Sequence, residues 1–205
     1  MTWIRDLSLL PALAVAVTAG LLVVVDNRKT QLVTLAVQYF FAAWLAGLAL
    51  PLGVAAVKLV AGLVACGILS VSVSALGWRL AEERPGALPA GHAFRWIAVL
   101  LVAFVAFAIG RDGWEAIPAL EPVAALGAVF LLTLGMLQFG ITEDGLRVGA
   151  GILTVLTGFE VAYAAVEPSL AVVALLASVH LGVALVVSYL LVGLPGPAAG
   201  EGDEG

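Results

Sequence analysis

Seven long apolar runs, separated by short polar interruptions, leave this chain few folds to choose from. They cover residues 7–25, 32–50, 52–76, 94–109, 117–139, 148–166 and 170–192. About 20 consecutive apolar residues suffice to cross a bilayer as a helix. A helix satisfies its own backbone hydrogen bonds where lipid offers none. The runs occupy most of the 205 residues, and the short connections between them leave no room for a soluble domain. Charged residues make up 11% of the chain, against about 25% in soluble domains. A membrane β-barrel needs alternating polarity in segments of about 10 residues; these runs are apolar throughout, which excludes it. The expected fold is all-α: a polytopic membrane protein with seven transmembrane helices.

The basic residues give the expected orientation. Arg28, Lys29, Arg79, Arg84, Arg95 and Arg147 fall on one side of the alternating spans, and only Arg5 and Arg111 on the other. Short loops rich in Lys and Arg favour the cytoplasm. The N-terminus is therefore expected outside and the C-terminus inside, as in an integral protein of a prokaryotic cytoplasmic membrane. Arg5 ahead of an apolar run has the polarity of a signal sequence, but the segment is expected to remain as the first span. Trp3, Trp78, Trp96 and Trp114 lie near span ends, where an indole suits the interface. Trp44 is deeper and is expected to pack between helices.

Two short connections, at Pro51 and at Glu167-Pro168-Ser169, each join antiparallel neighbours. The longest connection, from Trp78 to His92, divides the chain. Residues 1–77 form an expected three-helix unit, 78–110 a loop and linking helix, and 111–192 a second three-helix unit. Residues 193–205 form an acidic Gly/Pro-rich tail of the kind that buries no core. The single linking span gives the two units the same direction. Two polar pairs support a duplication. Gln38 and Lys58 are 20 residues apart, as are Glu160 and His180, and an offset of 122 carries the first pair onto the second.

These four residues lie inside apolar runs. Ionisable groups there are costly and mark function by default. Burial and neighbouring charge decide whether a carboxyl holds its proton, which suits Glu160 to carry one. Thr154, Thr157, Glu160 and Tyr163 recur every three residues. Thr157 and Tyr163 are expected to support the carboxyl and recruit water. The alternative for Glu160 is a neutral group that serves only as interhelical glue. Lys58 sits six residues into its span and is expected to face inward, because its nearer end is the outer one. Histidine, with an unperturbed pKa of ~6.5, is a natural relay, though His180 can also simply bond a backbone carbonyl. Gln38 does not titrate but can orient water. Gln31, Thr34 and Gln38 share one helix face by their spacing. Ser70, Ser72 and Ser74 suit helix packing.

Other chemistry finds no support. The single cysteine, Cys66, makes no internal disulfide, and no metal-ligand spacing occurs. Haem ligation by two histidines would need a second buried one, and His92 is expected in a loop. The net charge of −5 gives no reason to expect a nucleic-acid partner.

Gly158-Phe159-Glu160, followed by small residues, resembles the glutamate-bearing helix of the K subunit of respiratory complex I. Residues 174–185 resemble that subunit's last helix, with His180 where the family has a second glutamate. Over most of its length the chain is similar to the E subunit of hydrogenase-4-type energy-converting hydrogenases, and Ala55-Ala56-Val57-Lys58-Leu59-Val60 looks like a lysine-bearing helix of that family. The resemblance implies a membrane-arm subunit that translocates protons or sodium along a central polar axis, with Glu160, His180, Lys58 and Gln38 as its ion-translocation residues. It implies no catalytic residue and no cofactor in this chain. Redox cofactors would belong to peripheral partner subunits, with antiporter-like subunits and the lipid bilayer as the other neighbours. A stand-alone secondary transporter and a purely structural membrane subunit remain as alternatives.

Overall fold

The computed structural model describes residues 2–48, 50–76, 91–112, 121–164, 166 and 169–193, with side chains 2–8, 111 and 112 left aside. The tail from residue 194, the connection 77–90, Trp78, Arg79, Arg84, Trp114, Glu167 and Pro168 lie outside these residues, as do the side chains of Trp3, Arg5 and Arg111. The described residues form seven helices and no strand. They are α1 (Thr2–Val24), α2 (Arg28–Ala46), α3 (Leu52–Ala75), α4 (His92–Asp112), α5 (Pro122–Gly140), α6 (Gly145–Ala164) and α7 (Leu170–Gly193).

Five of these helices, α3 to α7, are long and apolar enough to cross a membrane. The expectation of seven is thus met in part. The apolar stretch of α1 with described side chains, Leu9–Val24, falls short in length. α2 opens with Arg28 and Lys29 and carries Gln31, Thr34 and Gln38, which lower its hydropathy.

Helix ends depart from the apolar runs where polar caps act. α2 begins at Arg28 rather than residue 32 because the Asn27 side chain accepts from the backbone N–H of Lys29 at 2.9 Å and of Thr30 at 3.4 Å. α6 begins at Gly145 rather than residue 148, with the Asp144 carboxylate accepting from the Arg147 N–H at 3.1 Å. Such side chains satisfy N–H groups that the first turn leaves without partners. α2 ends at Ala46, short of residue 50, as the chain turns toward Pro51. The run expected from residue 117 overlaps α5 from Pro122, with Glu121 at the N-cap position, and its residues 117–120 lie outside the described ones.

α5 and α6 approach closely along a seam of glycines. A Cβ added at Gly158 would lie 2.9 Å from the Leu132 nitrogen and 3.0 Å from the Ala128 carbonyl. Without a large hydrophobic drive between helices in lipid, such small residues allow the backbones to pack. The other packed pairs are α1 with α2, α4, α5 and α6; α2 with α3, α5 and α6; α3 with α7; α4 with α5; and α6 with α7. Exchanging α1, α2 and α3 for α5, α6 and α7 leaves this set of closely packed pairs unchanged. Leu100, Leu101 and Phe104 of α4 are each more than 60% exposed, as suits a lipid-facing surface. Trp44, expected between helices, is instead exposed on the outside of α2, stacked on Phe41 with ring centroids 6.4 Å apart. Its position on the wheel turns it away from the buried Gln31–Gln38 face.

Candidate ion-translocation site

Three helices each bring one ionisable side chain to a common point. Glu160 comes from the last part of α6, Lys58 from the first part of α3 and His180 from the middle of α7. Lys58 Nζ lies 3.3 Å from Glu160 Oε2, and His180 Nδ1 lies 3.1 Å from Glu160 Oε1. All three side chains are buried, with at most 9% of each accessible. Lys58 therefore faces inward rather than along the surface.

The surrounding hydrogen bonds constrain the protons. Thr157 donates its hydroxyl hydrogen to the Leu153 carbonyl at 2.7 Å. A hydroxyl has one hydrogen, so toward His180 Nε2, at 3.4 Å, Thr157 can only accept. Nε2 must then carry a hydrogen. The other ring nitrogen, Nδ1, faces Glu160 Oε1 and also the Leu176 carbonyl at 3.3 Å. One proton lies between Nδ1 and Oε1, covalently on the ring or on the carboxyl. The arrangement can therefore exchange a proton between two groups without moving a heavy atom far, while Lys58 bears on the balance through the second carboxylate oxygen.

Tyr39 closes the site from α2. Its ring meets His180 edge-on with centroids 5.8 Å apart. It also fills the space at Gly62 of α3, where an added Cβ would fall 2.4 Å from the ring. Gln38, the neighbouring residue, points to α6 instead and donates from Nε2 to the Thr154 hydroxyl at 3.0 Å. Thr154 in turn donates to the Ala150 carbonyl at 2.8 Å.

The structure thus brings Lys58, Glu160, His180 and Thr157 together. Gln38 stands one step away, through Thr154. Tyr163 stacks on Phe159 at 5.5 Å, and no described hydrogen bond joins its hydroxyl to the cluster. The reason is geometric. Each three-residue step falls about 60° short of a full turn at 3.6 residues per turn, so by Tyr163 the stripe has rotated to the side opposite Thr154. Ser72 and Ser74 bond backbone carbonyls of their own helix, and Cys66 is a free, buried thiol.

Toward the other end of the bundle lies a second polar cluster that the chain's polar pairs did not reveal. Asp26, between α1 and α2, accepts from Arg95 of α4 at 2.6 Å, contacts His92 Nε2 at 3.1 Å and pairs closely with Arg147 of α6. His92 is the first residue of α4 rather than part of a loop. Arg28 pairs with Asp144 at 2.6 Å. The Val25 carbonyl accepts from Arg147 at 2.6 Å and from Gln31 at 2.7 Å, and Gln138 donates to the Arg147 carbonyl at 3.1 Å. Burial pushes the Asp26 carboxyl up, but the hydrogen bond from Arg95 and the charges of Arg147, Arg95 and His92 outweigh it and hold the group below its usual range. Arg147 is buried at the start of a helix, and a lone arginine so close to an apolar run is the one sequence signal for this cluster.

Among the described residues, no group of histidine, cysteine and carboxylate side chains is arranged to hold a metal ion. Comparisons with protein-family models, with curated proteins and with solved structures give no match for this chain.

Proposed function

We propose that the chain is a membrane-arm subunit of a complex I-like or energy-converting hydrogenase-like assembly, similar to the hydrogenase-4 E subunit, and that it passes protons or sodium through the Glu160 cluster. The observation that carries this reading is the division of Glu160 between two bases, Lys58 Nζ on one oxygen and His180 Nδ1 on the other, all buried among apolar helices. Buried ionisable groups in a membrane protein mark ion pathways. A site made only for packing gains nothing from three titratable groups where one hydrogen-bonded pair would serve.

In this reading all seven helices cross the bilayer, with the N-terminus outside. The joining of the α1–α2, α4 and α6 ends through Asp26 supports an alternation of crossings. The unchanged pairing of helices under exchange of the two three-helix sets supports a parallel duplication. So does the bond from Arg147 to the carbonyl of Val25, its own counterpart 122 residues earlier. A contact between counterparts is what an axis relating two units produces.

The test uses the whole complex in vesicles. Glu160→Gln keeps size and hydrogen bonding but removes titration. It is expected to leave assembly and electron transfer intact and to lower the ions moved per electron. An undiminished ratio would move Glu160 to a structural role. Purification of the full chain from native membranes is expected to bring antiporter-like chains and iron–sulfur subunits with it. Transport by the purified chain alone would favour a secondary transporter, for which repeated units and midplane polar residues are also typical.

A further inference from the structure

Among the described residues, four buried polar atoms have no hydrogen-bond partner: Oε1 of Gln31, Gln38 and Gln138, and the Tyr39 hydroxyl. The amide orientations are fixed. Gln31 and Gln138 each place Nε2 on a backbone carbonyl. Thr154 has spent its hydrogen on Ala150, so it must receive Nε2 of Gln38. Turning any of these amides would set oxygen against an acceptor. Three acceptor oxygens are therefore left facing inward, and buried groups of this kind are held by ordered water, each water making about three hydrogen bonds.

The four atoms fall into two groups at different depths. Gln31 and Gln138 adjoin Arg147 at the Asp26 end. Gln38 is seven residues further along α2, about 10 Å at 1.5 Å per residue. The Tyr39 hydroxyl lies beside Thr157, outside hydrogen-bond geometry, and Thr157 touches His180. Between Gln31 and Gln38 the seam is crossed by Leu35 and Leu153, both fully buried in one apolar cluster.

We propose that the seam between α2 and α6 is a water-holding access route, through which protons reach the Glu160 cluster from the Asp26 side. The amides hold the waters and do not titrate. One hydrated pocket is formed at Gln31 and Gln138 and another at Gln38 and Tyr39, and the leucines between them are a dry layer that closes the route until they part. This proposal rests on Glu160 being an ion carrier.

Two measurements on the full chain in lipid vesicles test it. In radiolytic footprinting, radicals formed from bound water oxidise the side chains beside it. Tyr39, 5% exposed, is expected to react at no less than roughly one-tenth the rate of Tyr189, which is 76% exposed. A slower rate means a dry seam and overturns the proposal. In a Cys66→Ala background, a Gln38→Cys thiol is expected to react with silver ion roughly 10-fold faster from the Asp26 side than from the other, and faster still with Leu35→Ala. Equal rates, faster reaction from the opposite side, or reaction only after unfolding would each overturn it. Neither measurement reads pumping. Undiminished pumping in Glu160→Gln would remove the proposed function and leave the hydration results standing. A dry seam with pumping lost in that variant would remove the access route alone.

Discussion

Replacing Glu160 with an apolar side chain leaves Lys58 with neither counter-ion nor hydrogen-bond acceptor, in surroundings that solvate it poorly. Breaking one side of a buried ion pair costs about 3–5 kcal/mol. Glu160→Leu is therefore expected to lower stability by about 3 kcal/mol or more, measured by reversible unfolding in lipid. Adding Lys58→Met should recover part of that loss, with a coupling of about 0.5–3 kcal/mol between the two sites. Additive losses would mean that the 3.3 Å contact carries little energy. At this scale much was legible beforehand, because a glutamate, a lysine and a histidine in apolar runs are conspicuous. Their convergence on one carboxylate was not legible. Sequence spacing fixes a face within one helix, whereas the meeting of α3, α6 and α7 depends on how the helices pack. Tyr39 escaped notice for the same reason, since its role comes from Gly62 and His180 on other helices.

Helix packing here turns on where the backbones come close. At Gly158 a new Cβ would meet the Leu131 Cβ and two backbone atoms of α5, none of which can swing aside. Gly158→Ala is expected to cost about 1–3 kcal/mol, the usual range for overpacking. Gly62→Ala should cost at least as much, because the new Cβ meets Cδ1 and Cγ of the buried Tyr39 ring at 2.4 and 2.5 Å, and should displace that ring from His180. Nothing lies within 4 Å of a Cβ at Gly67, so Gly67→Ala should be neutral or stabilising by up to about 1 kcal/mol through helix propensity. Thermal unfolding of the three variants side by side checks the order; equal effects would contradict the seam. Apolar runs located the helices themselves well. They missed the starts of α2 and α6, where Asn27 and Asp144 recruit polar residues into the first turn, because a hydropathy reading counts such residues as loop.

Across the whole molecule, the Asp26 cluster ties α4 and α6 to the connection between α1 and α2. Its carboxyl is held below the usual value of 3.8. A carboxylate lowered on folding adds stability above its unfolded value and loses that contribution as pH falls through the folded one. Acidification below about pH 3.8 is thus expected to loosen the attachment of α4, seen as faster amide exchange at its first turn. Asp26→Asn should remove that acid-dependent step while loosening the turn at neutral pH. A wild-type step that survives in Asp26→Asn would assign the acid response to another group.

A last consequence concerns covalent continuity. Each of α1, α2 and α3 rests directly against α5, α6 and α7 respectively, and the Arg147–Val25 bond joins the two sets. The peptide link between residues 76 and 91 should then be dispensable to the folded assembly. A gene cut at that point would make two polypeptides that find each other in the membrane, and a tag on one should retrieve the other. On the proposed duplication, the two pieces would then act as tethered partners, each open to replacement by itself.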